Sequence, residues 1–286
     1  MIRMFHTTDM WQTFKSIRAA LRFRDYKPKP LTWLSASRWV DQFDKKDRKL
    51  AIRLLDNIIY LSEYDTKQIL MEQNAALMER LKAAGLPPKK LIYVQVHDAG
   101  SSSPVMLSLL RDAANLERQG CKFVDARDIK RLSETMNEVG VGALIYVDDF
   151  VGTGNQFCEE RDFAAKNFAL TNFSEFLIAP SICEEAFYKL SERGIEAFTG
   201  HVRSKAERPL HSNSSMFRKA EKERLELACK GINNKFGLGY HALATMVVLY
   251  RNSPNTVPAV LRGSTNQTPF FGIFPRTTDL PIPTPK

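Results

Sequence analysis

The sequence predicts an α/β protein with a mainly parallel sheet flanked by helices and a helical N-terminal extension. Three observations lead to this class. Between residues 91 and 202, short β-rich runs alternate with helical patterns, an order typical of parallel sheets covered by helices. Before residue 89, apolar residues recur at helical spacing instead. The 286 residues, 44% hydrophobic and 26% charged, match a globular protein with a sizeable core.

Residues 1–88 are predicted to form the helical extension. Residues 9–25 follow a helical pattern whose apolar stripe we expect to be buried. This stripe consists of Trp11, Phe14, Ile17 and Leu21. Helical spacing resumes after a proline-containing break, with Ser35 or Ser37 as the candidate N-cap, and continues to Gly85. Within this stretch a further helix over 65–84 is predicted to end before two prolines.

Residues 89–275 are predicted to form the α/β domain, and residues 276–286 a proline-rich tail. The predicted strands cover 91–96, 121–126, 143–147, 175–181 and 195–202. The helical patterns between them cover 105–120, 127–140, 157–170 and 184–194. A basic amphipathic helix around 214–230 and an apolar run over 244–250 complete the domain.

Basic residues are concentrated on the two flanks of the chain. Residues 1–30 hold seven Lys or Arg against two Asp or Glu, and residues 201–235 hold nine against four. Such flanks could attract nucleic acid. They could equally be solvated helix faces, and the sequence leaves both interpretations open.

Several classes of site and location are excluded by the sequence. The four cysteines contain no CxxC pair, so we expect buried, reduced thiols rather than a zinc ribbon or a disulfide framework. No HExxH, Walker A, GxSxG or GxGxxG motif occurs, and no cluster suggests a directly bound metal. The apolar runs are too short to span a bilayer and the N-terminus lacks a secretory pattern, so we expect a cytoplasmic protein that does not contact membranes.

The segment 143–156, ALIYVDDFVGTGNQ, carries the chemistry. A buried-type strand would deliver Asp148 and Asp149 to the carboxyl edge of the sheet, where carboxylates can accept hydrogen bonds from the two hydroxyls of a ribose. The turn 152–156 precedes a helix, so its N–H groups could converge on a phosphate. The loop 96–104 also follows a strand, which predicts a shared site. The alternative is a plain helix N-cap at the acid pair.

This segment resembles the phosphoribosyl pyrophosphate (PRPP) motif of type I phosphoribosyltransferases, in which a hydrophobic strand and two acids precede a small residue and Thr-Gly-Gly-Thr. Asn155 and Gln156 stand where the motif has Gly-Thr, and Asn tolerates the positive φ that such a turn needs. The resemblance implies that Asp148 and Asp149 are catalytic and that Mg²⁺ arrives with the phosphates of PRPP or a nucleotide. The implied ribose-phosphate site consists of Gly152, Thr153, Gly154, Asn155 and Gln156. The implied pyrophosphate loop consists of Asp98, Ala99, Gly100, Ser101, Ser102 and Ser103, and it lacks a basic residue.

The C-terminal segment 250–261 resembles the ending of phosphoribosyltransferase-like proteins from bacterial conflict systems, some of which accompany retrons. Within it, Asn252, Asn255 and Thr256 are candidates for a hood, that is, a loop that covers a bound ligand. The alternative is an ordinary structural turn. The closer resemblance implies a glycosyl-transfer or nucleotide-cleaving toxin of anti-phage defence, with a reverse transcriptase as a candidate partner.

Two other functions stay open at this point. The first is a non-catalytic ligand-sensing module that docks on RNA, DNA or a partner protein through basic flanks that include Arg18, Arg22 and Arg24. The second is an adaptor with an inactive pocket.

Overall fold

The computed structural model describes residues 10–96, 102–166, 170–263 and 270–276. The helices are α1 (Met10–Arg22), α2 (Trp33–Asp41), α3 (Arg48–Asp56), α4 (Glu63–Ala83), α5 (Ser102–Ala113), α6 (Ile129–Val139), α7 (Asn155–Ala165), α8 (Glu184–Glu192), α9 (Lys219–Ile232) and α10 (Ala259–Arg262). The strands are β1 (Ile59–Leu61), β2 (Leu91–Gln95), β3 (Lys122–Asp125), β4 (Gly142–Val147), β5 (Phe150–Val151), β6 (Phe173–Ala179), β7 (Ser181–Cys183), β8 (Ile195–Thr199), β9 (Val202–Arg203) and β10 (Val247–Leu249).

Two compact units make up the chain. The first unit comprises Met1–Glu63 and Lys205–Lys286, and the second unit comprises Tyr64–Ser204. These boundaries differ from the predicted division at residues 88 and 275. The reason lies in the cores, because α4 packs with the sheet through Leu70, Leu77 and Leu81, whereas the C-terminal segments share a core with the N-terminal helices.

The second unit contains a five-stranded, wholly parallel sheet in the order β3-β2-β4-β6-β8. Successive residues of β4 enter opposite cores: Leu144 and Tyr146 pack on one face, and Ala143, Ile145 and Val147 pack on the other. This double burial explains why the strand is almost continuously apolar. The predicted α/β class, its five strands and the four helices between them are therefore confirmed.

A second parallel sheet, β5-β7-β9, continues β4, β6 and β8 beyond their carboxyl ends. Two of the predicted strands are thus divided in the structure. The run 175–181 breaks at Pro180, which has no N–H to donate to a ladder. The run 195–202 breaks at Gly200, where an added Cβ would lie 2.9 Å from the Pro180 carbonyl oxygen.

The first unit has a core of helices and one small parallel sheet, β1-β10. Large aromatic side chains fill it, and their polar atoms find backbone partners. The Trp39 indole donates to the Val260 carbonyl at 2.7 Å, and the Tyr26 hydroxyl donates to the Pro275 carbonyl at 2.6 Å. Phe274 is fully buried against the Phe23 and Tyr26 rings. The segment 270–276 therefore completes this core.

The prediction for the apolar stripe of α1 is wrong. Phe14 and Leu21 are 62% and 65% exposed, and the buried side chains are Gln12, Ser16 and Ala19. Gln12 donates its amide to the Asp41 carboxylate of α2 at 3.1 Å. Small and polar side chains allow the two helices to pack closely, so the face that periodicity assigns to the core points outward.

The N-terminal region holds two further corrections. The cap of α2 is Thr32, not Ser35 or Ser37: Thr32 Oγ1 accepts from the Ser35 N–H at 3.1 Å, and Ser35 Oγ accepts from the Thr32 N–H at 2.9 Å. This reciprocal pair is a capping box. The helical stretch to Gly85 is also interrupted by β1, because the segment pairs with the distant β10.

All four cysteines are buried, as predicted. Burial raises the pKa of the Cys229 thiol to about 12 and that of the Cys121 thiol to about 11. Across the described ranges, no helix combines the length and the apolar character that a bilayer crossing requires.

Candidate functional site

The carboxyl ends of β2 and β4 mark a topological switch point. After β2 the chain passes to β3, which pairs with one edge of β2, and then to β4, which pairs with its other edge. The connection after β2 leads to β3, and the connection after β4 leads to β6 in the opposite direction. Because the two connections diverge, a crevice opens above the carboxyl ends of β2 and β4. Asp148 directly follows β4, and α5, which begins at Ser102, follows β2.

Asp148 is held in this crevice by hydrogen bonds from both connections. Its side chain is buried, and its Oδ1 accepts from the Ser102 hydroxyl at 2.6 Å and from the Asp149 N–H at 2.9 Å. Its own N–H donates to the Ile178 carbonyl of β6 at 3.0 Å. The structure thus brings together one residue of the predicted pyrophosphate loop and the first acid of the predicted ribose site.

Asp149 is less buried than Asp148 and stands between two strands. The chain continues from it into β5, where Phe150 and Val151 are buried and pair with Ser181 and Ile182 of β7. The sequence analysis does not predict this strand, since two residues are too few to show a periodicity. Because β4 ends at Val147 and β5 begins at Phe150, strand pairing holds the chain on both sides of the acid pair.

The glycine-rich turn occupies residues 152–154 and leads directly into α7. Gly154 has φ of +73°, and an added Cβ would lie 3.3 Å from the Ala186 Cβ of α8. The Gly154 carbonyl accepts from the Cys158 N–H at 2.9 Å, so Gly154 caps the helix. Positive φ therefore falls on Gly154 and not on Asn155, which is the first residue of α7.

The two residues that depart from the motif have partners of their own. The Asn155 N–H donates to Thr153 Oγ1 at 3.3 Å, and its side-chain oxygen accepts from the Lys189 ammonium of α8. The Gln156 amide donates to Glu160 one helical turn later at 3.3 Å. Gln156 thus points along α7 in this structure.

Lys189 is a candidate that the sequence analysis missed. It lies on α8, and its Cδ would lie 3.7 Å from a Cβ added at Gly154. Its ammonium beside the Asn155 side chain supplies positive charge at the turn. Nothing in the sequence around residue 189 indicates this role, because only tertiary packing brings α8 to the turn.

A buried network holds α7 against the sheet. Tyr146 donates its hydroxyl to Glu175 at 2.8 Å, and the Arg161 guanidinium of α7 forms a two-point ion pair with the same carboxylate. Burial, followed by the Glu175 charge, raises the pKa of Tyr146 well above its ordinary value. The hydrogen bond with Glu175 raises the pKa of Arg161. The network fixes α7, whose N-terminus carries the turn.

The remaining predicted loop residues are only partly placed. Asp98, Ala99, Gly100 and Ser101 lie outside the described residues. Ser103 is fully buried on the core side of α5, where Met106 and Leu107 also pack. Within the described chain its hydroxyl has no hydrogen-bond partner.

The three candidate hood residues belong to the first unit. Asn252 Oδ1 accepts from the Ser253 N–H at 3.0 Å, and the Asn255 carbonyl accepts from the Tyr240 N–H at 2.9 Å. Thr256 is buried and shares a 2.7 Å hydrogen bond with Thr245. In the first unit these residues brace a loop, and their role as a hood stays a prediction.

The described residues contain no group of three or more His, Cys, Asp or Glu side chains that could hold a metal ion. Asp148 and Asp149 offer carboxylate oxygens, which suit Mg²⁺. That ion often keeps water and binds through one or two carboxylates together with the phosphates of a substrate. The donor set at the crevice fits this arrangement.

Comparisons with known proteins give one family. The model of the PRTase-CE family matches residues 36–276. Among curated proteins, no relative matches the sequence. A solved structure described as a hypothetical protein from Neisseria gonorrhoeae with bound ppGpp is similar at 14% identity and a TM-score of 0.32, covering 51% of this chain and 85% of that one.

Proposed function

Because this chain belongs to the phosphoribosyltransferase-like PRTase-CE family, we propose that it binds PRPP or a related nucleotide or ribose phosphate at the carboxyl ends of β2 and β4. The observation that carries this proposal is the 2.6 Å hydrogen bond from Ser102 to Asp148. It joins the connection after β2 to the acid pair after β4, at the position where ligands bind in open parallel sheets.

The two halves of such a ligand would meet different groups. Asp149, the more exposed acid, would accept a hydrogen bond from one ribose hydroxyl, and Asp148 would lie below the ring. The 5′-phosphate would meet the N-terminus of α7, whose partial positive charge favours anions. The Lys189 ammonium, which contacts Asn155, would add a full positive charge there.

The proposed reaction breaks the bond between C1 of the ribose and its leaving group. The leaving group departs with the electron pair, so positive charge builds on the sugar ring. The carboxylates of Asp148 and Asp149 would stabilise that charge electrostatically. Mg²⁺, bound through the phosphates of the ligand, would supply neutralisation of the leaving pyrophosphate. With PRPP as the substrate, a base or a macromolecular group would attack C1 as pyrophosphate leaves. With a nucleotide as the substrate, the nucleobase would leave with the electron pair and water would attack C1, which would cleave the nucleotide.

The proposed biological role is that of an effector in bacterial anti-phage defence, of the kind that acts as a retron toxin. This role is supported by the resemblance of the segment 250–261 to the C-terminal segment of phosphoribosyltransferase-like proteins from bacterial conflict systems. On this proposal a reverse transcriptase is the candidate partner, and cellular nucleotides or nucleic acid are the candidate targets.

The direct test is titration calorimetry of the whole chain with PRPP and Mg²⁺. We expect binding by the wild type and at least a tenfold loss for Asp148→Asn and for Asp149→Asn, since each substitution removes charge with little change of shape. Asp112→Asn, an exposed acid on α5, is the matched control and should bind as the wild type does. Circular dichroism would check that each variant folds. Absence of binding by the wild type, or equal binding by all variants, contradicts the proposal.

The alternative function is ligand sensing without turnover, with docking through the basic flank. Arg18 and Arg24 are exposed, which favours it. Arg22 is different, because it donates to the carbonyls of Asp56 and Ile58 and has a structural role. A fair test therefore neutralises Arg18 and Arg24 together and leaves Arg22 unchanged. Loss of partner binding with intact PRPP binding favours this function, whereas loss of the phenotype in Asp148→Asn despite normal partner binding favours the enzyme.

A further inference from the structure

The first unit contains a cleft of about 450 Å³ that lies outside the candidate site described above. It is lined by Lys230 and by the residues 234–242 that follow α9. A volume of this size lies in the ordinary range for small-ligand sites. We propose that the cleft binds nucleotide units, that is, a nucleobase with its phosphate, supplied by single-stranded nucleic acid or by a free nucleotide.

Exposed aromatic rings provide the first part of the argument. Phe236 and Tyr240, both in the lining, are 40% and 37% exposed, so part of each ring is open to solvent. Flat aromatic faces open to solvent can stack on the bases of nucleotides. The His241 ring packs edge-on against Tyr240, with the two ring centres 4.4 Å apart, and this contact orients the tyrosine.

Positive charge provides the second part. Lys230 and Lys235 also line the cleft, and the Lys235 ammonium lies 5.0 Å from the centre of the Phe236 ring. An ammonium in that position can pair with the phosphate of a base that stacks nearby. Among the described lining residues none carries a carboxylate. Aromatic faces combined with cations match a nucleotide unit better than a neutral apolar ligand.

The backbone under these side chains is tightly braced. His241 and Ala242 have φ of 51° and 52°, in the left-handed region that such residues rarely adopt. A Cβ added at Gly239 would lie 2.3 Å from the Thr256 carbonyl oxygen, and the Asn255 carbonyl accepts from the Tyr240 N–H. Strained conformations of this kind persist only where the surroundings enforce them. A loop fixed in this way loses little conformational freedom when it binds a ligand.

This inference goes beyond the proposed function, because the cleft uses only first-unit residues and none of the residues around Asp148. The experiment is fluorescence anisotropy of the whole chain with labelled single-stranded oligouridylate, at low and at physiological salt. The unlabelled single strand, a duplex of equal length and unlabelled AMP serve as competitors. AMP displacing the label assigns a free-nucleotide site, and displacement only by unlabelled single strand assigns a nucleic-acid site. Either result supports the proposal.

The variants test whether the rings carry the binding. We expect Phe236→Ala and Tyr240→Ala each to weaken binding about tenfold, since loss of the stacking between one ring and one base lowers affinity by about that factor. Tyr240→Phe, which retains the ring, should bind as the wild type does. Tyr188→Ala, which removes a 64% exposed ring on α8, is the matched control and should have no effect.

Three results would overturn the proposal. These are the absence of binding by the wild type at low salt, unchanged binding by Tyr240→Ala, and equal loss of binding by Asp148→Asn. The last result would place the ligand in the crevice of the second unit. Conversely, failure of PRPP to bind the wild type would contradict only the proposed function, so the two failures are distinguishable.

Discussion

At the level of single residues, the crevice depends on one buried carboxylate. Asp148 is 5% exposed, and a carboxylate so covered is stable only where hydrogen bonds replace its hydration. The Ser102 hydroxyl and the Asp149 N–H supply two such bonds. The same contacts therefore serve stability and the placement of an acid for which the resemblance to phosphoribosyltransferases implies a catalytic role.

We expect Ser102→Ala to lower the free energy of unfolding by about 2 kcal/mol, because it removes a hydrogen bond to a buried charged group. PRPP binding should weaken as well, since Asp148 loses one of the groups that orient it. Urea unfolding and calorimetry measure the two effects. Ser108→Ala, on the same helix, serves as the control. A Ser102→Ala protein as stable as Ser108→Ala would show that the bond to Asp148 contributes little.

At the level of elements, α1 illustrates how an apolar stripe can mislead. Its periodicity is helical, as predicted, yet Phe14 and Leu21 face outward while Gln12 and Ser16 are buried. Periodicity predicts that a helix has two faces, and the choice of the inward face is made by the partner helix. Here Asp41 of α2 accepts a hydrogen bond from Gln12 and so selects the polar face.

This orientation predicts a contrast between two phenylalanines of the same region. Phe14→Ala should change the free energy of unfolding by less than about 0.5 kcal/mol, as exposed substitutions do. Phe23→Ala, at a fully buried position, should cost about 3–5 kcal/mol. Urea unfolding followed by tryptophan fluorescence measures both. A large loss for Phe14→Ala would mean that the stripe is buried after all.

Helix α9 begins with a capping carboxylate. Glu221 accepts from the Arg218 N–H at 2.8 Å and pairs with Arg53 at 2.7 Å. The backbone hydrogen bond is the main cause that lowers the pKa of Glu221 below its usual range. A lowered folded-state pKa stabilises the fold above the ordinary glutamate pKa, and this contribution disappears as the pH falls through the lowered value.

We therefore expect Glu221→Gln to reduce the urea midpoint at pH 7 and to have a smaller effect near pH 3. Glu223→Gln, an exposed position of the same helix, controls for the general loss of a charge. Unfolding curves at both pH values measure the difference. If Glu221→Gln lowers the urea midpoint equally at the two pH values, Glu221 stabilises the helix through the shape of its side chain rather than through its charge.

At the level of the whole molecule, the chain consists of two units with separate cores. The first unit is built from both ends of the chain and the second from the middle. All three tryptophans, Trp11, Trp33 and Trp39, belong to the first unit. Their fluorescence therefore reports on that unit, whereas circular dichroism reports on helices of both.

Separate cores predict separate unfolding transitions. Phe274→Ala removes a fully buried side chain from the first unit. It should lower the free energy of unfolding, measured by tryptophan fluorescence, by about 3–5 kcal/mol. Glu175→Gln leaves Arg161 without its buried counter-charge in the second unit and should cost about 3 kcal/mol, seen by circular dichroism but not by tryptophan fluorescence. If each variant shifts both signals equally, the two units unfold as one.

Local sequence was sufficient for much of the fold and for part of the site. The apolar strands, the helices between them and the burial of the cysteines follow from periodicity and composition, which act over a few neighbouring residues. The placement of Asp148 at a carboxyl edge follows from the apolar run that precedes it. Gly154 takes the positive φ of the turn, as glycine-rich turns require.

Long-range contacts were needed for the rest. Residues far apart in the chain meet as Lys189 with Asn155, Arg161 with Glu175, and β1 with β10. The same is true of the inward face of α1 and of the boundaries of the two units. These features depend on which surfaces pack together. A local residue pattern shows that a helix or strand has a face to bury, but several other elements could cover that face, and only the tertiary structure decides which one does.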